Sequence, residues 1–132
     1  MTEPILLAIL FADRIIIENN NKKGIIGTFD KFIAQAFPVT FPPWGIYVSL
    51  TNISGKHSFA ITLLHLETNQ IVIPINGEVE SISPEQTIEL TFNLAGVVFP
   101  SPGRYNLSVE LGGELLGSRV LYVETSNLLT NP

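Results

Sequence analysis

Apolar residues recur at every second position over much of the chain, and no window carries a convincing 3.6-residue period. Residues 87–94 alternate strictly, with Ile88, Leu90, Phe92 and Leu94 on one face and Thr87, Glu89, Thr91 and Asn93 on the other. Residues 104–111 repeat the pattern through Tyr105, Leu107, Val109 and Leu111. Residues 44–52 set Trp44, Ile46, Val48 and Leu50 against Gly45, Tyr47 and Ser49, and residues 57–67 align Phe59, Ile61, Leu63 and His65. A period of two predicts strands with one face buried.

Turn residues separate these runs. The stretch 19–24 (three Asn, two Lys, then Gly24) predicts a hairpin loop, because Asn and Gly tolerate left-handed backbone. It joins residues 5–17, read as one strand or as two broken at Ala12-Asp13, to a returning strand over 25–33. Within that strand Gly27 marks a bulge or a close backbone approach. Pro38, Pro42 and Pro43 exclude a central strand or helix, so residues 37–43 read as an extended crossover between sheets. Pro74 predicts that residues 70–75 form an edge strand, continued by 78–82. Gly112-Gly113 predicts a hairpin into a closing strand over 114–123. Residues 29–36 are the one window a helix would fit.

About seven to nine short strands with regular turns predict an all-β domain, an immunoglobulin-like antiparallel β-sandwich over residues 1–124. A closed barrel is the competing architecture. Residues 125–132 have no periodicity and are expected to form a flexible C-terminal tail. Residues 5–11 and 70–75 are nearly continuous apolar runs, which predicts cover on both faces. The tail, a loop or a second subunit would supply it, and a homodimer through the sheet containing residues 5–11 is one form of that expectation.

Composition narrows the function classes. The 132 residues fit one domain, long enough to fold without covalent staples. The absence of cysteine excludes disulfides, thiolate nucleophiles and thiolate metal sites. Seven Lys+Arg against 12 Asp+Glu give a net charge of −5, which argues against nucleic acid and against an acidic membrane surface. Charged residues make up only 14%, a hint that some apolar surface lies at an interface. The apolar run at residues 5–12 is preceded by Glu3 rather than a cation and is too short to span a bilayer, so it reads as a strand. A cytoplasmic location is the default expectation.

Candidate chemistry is sparse. His57 and His65 are eight positions apart on one strand, about 26 Å, and cannot share an ion. His65 and Glu67 share a face, but two ligands fall short of a metal site, and no metal or other cofactor is expected. No spacing favours a nucleophilic triad. Asp13 and Asp30 each precede a cation, and a hairpin closed at 19–23 would put position 13 near position 28, making the two carboxylates diagonal neighbours. Such a pair can serve as acid and base if one pKa is raised. The plainer reading has each bond backbone N–H groups or pair with Arg14 and Lys31. Phe37, Phe41 and Trp44 are a candidate interaction surface, since large aromatics anchor interfaces, or else a plug between sheets.

The residues also permit a comparison. The stretch Ile9-Leu10-Phe11-Ala12-Asp13-Arg14, the element Gly27-Thr28-Phe29-Asp30, the crossover Phe37-Pro38 with Pro42-Pro43-Trp44, and the closing segment Phe99-Pro100-Ser101-Pro102-Gly103-Arg104-Tyr105 resemble a family of small bacterial proteins of unknown function. The resemblance covers roughly residues 4–123. It implies a compact β-sandwich and a bacterial cytoplasmic protein, and it implies no activity. Tyr105 also resembles the corner tyrosine of immunoglobulin-like domains.

The expected function is therefore a non-enzymatic protein-interaction or structural module, binding another protein or itself. The alternative is a small-molecule-binding domain or hydrolase that uses Asp13 and Asp30.

Overall fold

A computed structural model describes residues 3–126, and among them every regular element is a strand. The strands are β1 (Ile5–Ile17), β2 (Lys23–Phe29), β3 (Lys31–Ala34), β4 (Val39–Thr40), β5 (Trp44–Thr51), β6 (Gly55–His65), β7 (Ile71–Ser81), β8 (Ile88–Leu94), β9 (Val98–Phe99), β10 (Gly103–Leu111) and β11 (Glu114–Thr125). Eleven elements exceed the expected seven to nine because the crossover contributes the two-residue β4, which pairs with the equally short β9 ahead of the turn at 100–102, and because the predicted strand over 25–33 is divided. No described helix is long and apolar enough to cross a membrane.

Two larger sheets have the orders β2-β1-β5-β8 and β3-β11-β10-β6-β7. The alternating runs do what their pattern predicts. Ile46, Val48 and Leu50 of β5, Ile61 and Leu63 of β6 and Tyr105, Leu107 and Val109 of β10 all sit in one core cluster that draws on both sheets. β7 is an edge, as Pro74 requires, because proline has no N–H to give a further strand. Gly112 and Gly113 turn the β10–β11 hairpin with φ of +59° and +85°.

The all-antiparallel expectation is corrected at one place. The chain leaves the first sheet after Phe29, switches at Asp30 and enters the second sheet as β3, which runs parallel to the end of β11 from Tyr122↔Lys31 to Thr125↔Ala34. The N–H of Tyr122 donates to the Asp30 carbonyl at 3.0 Å, tying the switch to β11. Thr125 is thereby part of a strand, the N–H of Ser126 donates to the Ala34 carbonyl at 2.8 Å, and residues 127–132 of the predicted tail lie outside the described residues.

Within the single chain the two apolar runs are covered only in part. Ile5 and Leu7 are 48% and 53% exposed, and Ile71 is exposed as well. Cover exists farther along β1 instead. Gly45 stands opposite Ala12, and a Cβ on Gly45 would meet Ile15 Cδ1 at 2.8 Å, so Ile15 lies over the outer face of β5. It is buried yet outside the core cluster. Asn93 Nδ2 donates to the Ile15 carbonyl at 3.4 Å, and Lys23 Nζ reaches Glu89 at 3.6 Å. The β1–β2 hairpin therefore bends over its own sheet. Gly27, at φ +71°, permits the bend in β2 with Asp13 packed across it.

Candidate protein-interaction site

The proline-rich crossover is a plug. Trp44 is 3% exposed and contacts Phe11, Phe29, Phe32 and Phe99 at ring-centroid distances of 5.4–6.3 Å. Phe41 stacks on Phe32 at 4.1 Å, and Phe37 packs half-buried against the same cluster. As an interaction surface Trp44 is corrected, since it offers nothing to a partner while the core is closed, whereas Phe37 and Phe41 remain partly exposed at the rim of the plug.

Asp13 and Asp30 are both exposed. The ladder sets Phe11 against Phe29, so Asp13 faces Gly27 rather than position 28, and Asp30 falls beyond the end of β2, level with Leu10. Three ladder positions separate the two carboxylates, roughly 10 Å of strand. They are not the diagonal pair expected from the sequence, because the strand switch takes Asp30 away from the hairpin. His57 and His65 are equally separate. His65 is buried, with Nδ1 against Thr68 Oγ1 at 2.8 Å, and Nε2 against the Pro102 carbonyl at 3.0 Å and Glu67 Oε2 at 3.1 Å. Its two ring nitrogens are thus engaged in fastening the β6–β7 turn to the approach of β10. Tyr105 beside it, fully buried, donates to the Ser101 carbonyl at 2.5 Å.

The structure instead assembles a site that the sequence reading did not single out. β2 pairs with β1 only from Phe11 onward, so residues 5–10 of β1 have β5 on one side and, among the described residues, no strand on the other. β3 pairs with β11 only from Tyr122 onward, so, among the described residues, 114–121 of β11 have β10 alone as a strand partner. The two open edges face each other in a seam that starts at the Asp30 switch. Leu6 touches Gly117, where a Cβ would lie 2.6 Å from Leu6 Cδ2. Arg119 crosses the seam: Nη1 donates to the Ile9 carbonyl at 2.6 Å, and its guanidinium carbon stands 5.3 Å from the Phe11 ring centroid.

Backbone polarity follows from these bonds. In an antiparallel strand the N–H and C=O of one residue point to the same edge, and successive residues alternate. The Ile9 carbonyl faces the seam, so its N–H does too. The Tyr122 N–H faces β3, so Val120 and Ser118 turn their backbone groups to the open part of that edge. Two shallow cavities flank Arg119. One of about 300 Å³ is lined by Leu10, Thr28, Phe29, Asp30 and Arg119. The other, about 230 Å³, is lined by residues 6–9 with Ser118 and Arg119. A larger hollow, about 430 Å³, is only the open side of the exposed turn at 18–20.

A sequence signal for this site exists at Arg119. It shares strand parity with the core residues Leu121 and Val123, and a cation at a core-facing position demands a partner or an opening. Leu6, Leu7 and Ser118 carry no comparable signal.

None of the curated proteins matches the chain. A family model does: residues 7–124 match the Family of unknown function (DUF6941), and the chain belongs to that family.

Proposed function

For this member of the DUF6941 family we propose a protein-binding module that takes an extended segment of a partner into the β1–β11 seam by strand addition. The observation that carries the reading is the pair of facing strand edges that have no strand partner among the described residues, with a cavity on each side of Arg119. Strand addition draws affinity from main-chain hydrogen bonds and selectivity from pockets for alternate side chains. Leu7, exposed, lines one of these cavities, and the exposed Ile5 and Leu115 lie on the same two strand segments. An open apolar edge invites pairing unless it is guarded, and no proline or lysine interrupts residues 5–10.

The fold belongs to the same proposal. We infer an immunoglobulin-like sandwich. Support comes from one core shared by two sheets, from the parallel contact of an early strand with the last one, and from Tyr105 bonding four residues back as a tyrosine corner. A non-enzymatic role is supported by the separation of Asp13 from Asp30, which removes the pair on which hydrolysis would rest. A cytoplasmic location completes the reading, on the acidic, cysteine-free composition.

The test is affinity capture from lysate of the host, with native protein beside a Leu7→Lys/Leu115→Lys variant of equal thermal stability. A stoichiometric protein held by the first and lost by the second supports the seam. Identical captured sets reject it. Bait alone, with a mass that rises with concentration, makes the occupant a second copy.

A further inference from the structure

The seam also carries information about the chemistry of its occupant. Arg119 is half-buried, yet it makes no ion pair among the described residues. Its one described hydrogen bond goes to a neutral carbonyl, and four further N–H donors of the fork are left over. Asp30 lines the same cavity without pairing to it. A partly desolvated guanidinium between two cavities is incompletely matched, and a carboxylate is the group that matches its planar fork.

We infer that the incoming segment is acidic, with an Asp or Glu side chain that engages Arg119 and apolar residues two positions to either side. The inference rests on strand addition at the seam. The exchange conserves hydrogen bonds. A backbone N–H of the added strand takes the Ile9 carbonyl, Arg119 is released from it, and the freed guanidinium closes on the carboxylate. The two-residue side-chain repeat of a strand then sends the flanking apolar side chains toward the cavities on either side of Arg119. Asp30 sets the polarity. Its charge opposes a carboxylate at its end of the seam, so the acidic side chain approaches Arg119 from the Ser118 side. The native surplus of negative charge makes this selective, because a net charge of −5 discourages acidic segments everywhere except at such a point.

The test is selection from a displayed random heptapeptide library against the full chain, followed by titration of synthetic winners. The expected winners carry one Asp or Glu flanked at ±2 by apolar residues. Their Glu→Gln versions should bind about tenfold or more weakly. Arg119→Met should erase the difference between the Glu and Gln peptides, and Arg119→Lys should restore only part of it. Amide shifts on titration should fall on Ile9, Ser118 and Val120. Winners without an acidic residue, or Glu and Gln peptides of equal affinity, overturn the carboxylate inference while shifts at those amides keep strand addition alive. No winner at all, or shifts confined to another surface, overturns strand addition and this inference with it. Because the Gln peptides are read against the native chain, the test stands even if an Arg119 variant fails to fold.

Discussion

Arg119 on β11 donates to the Ile9 carbonyl on β1 across 2.6 Å, so a side chain of one sheet satisfies the backbone of the other where no strand does. Arg119→Ala removes that bond and the contact with the Phe11 ring together. A charge-assisted hydrogen bond in a half-buried place contributes about 1.5–3 kcal/mol. Urea unfolding should show a loss of that size with an unchanged slope. Arg119→Met, which keeps the apolar stem over Phe11, should lose less.

The aromatic plug makes a second, independent prediction. Trp44 is the chain's one tryptophan and is held among four phenylalanines. Its emission should be blue-shifted and resistant to acrylamide quenching in the native state. Trp44→Ala should cost about 3–5 kcal/mol, and Phe37→Ala, at a half-buried position, clearly less.

Gly103 sits at φ +142°, and a Cβ there would meet Glu67 Oε2 at 2.5 Å and His65 Nε2 at 2.6 Å. Gly103→Ala must strain the backbone and push the His65–Glu67 pair apart, with an expected loss of more than about 2 kcal/mol. Gly55, at φ +84° with nothing within 4 Å of its Cβ position, is the control. Gly55→Ala should cost about 1 kcal/mol, from backbone conformation alone. Equal melting temperatures for the two variants would contradict the packing at Gly103.

Alkaline pH tests two phenols, the half-buried Tyr47 and the fully buried Tyr105. Burial raises the pKa of Tyr47, and so does the bond it donates to Glu89. Burial raises that of Tyr105 too, against the opposing effect of its bond to Ser101. The unfolded chain ionises its tyrosines near pH 10, while the fold retains these protons. Folded protein therefore binds more protons above pH 10, and stability must fall as pH rises. The contribution is fully present below about pH 10 and is lost as pH climbs through the folded values. Phenolate absorbance should show Tyr47 and Tyr105 ionising at higher pH in the folded protein than in the urea-unfolded chain. Tyr47→Phe should flatten the alkaline fall in melting temperature.

Asp13 and Asp30 make separate local contacts, so their effects should add. Asp13→Asn and Asp30→Asn measured singly and together should agree within about 0.5 kcal/mol, the usual limit for sites that share no partner. A larger coupling energy would mean that the two carboxylates meet.

The alternation of Ile46, Val48 and Leu50, and of Tyr105, Leu107 and Val109, determined the strands and which face of each is buried. A period of two is a local property that any half-buried strand must obey. Pro74 determined an edge for an equally local reason, since a missing N–H cannot pair. The strand switch at Asp30, the parallel contact of β3 with β11, the fold-back of Ile15 over Gly45 and the Arg119 bridge were decided only by tertiary structure. Each depends on which strand lies beside which, and that is a sum of contacts between residues far apart in sequence. Arg119 and Ile9 are 110 positions apart. No pattern along the chain records that these two edges meet, because the forces that bring them together act between the faces of whole sheets.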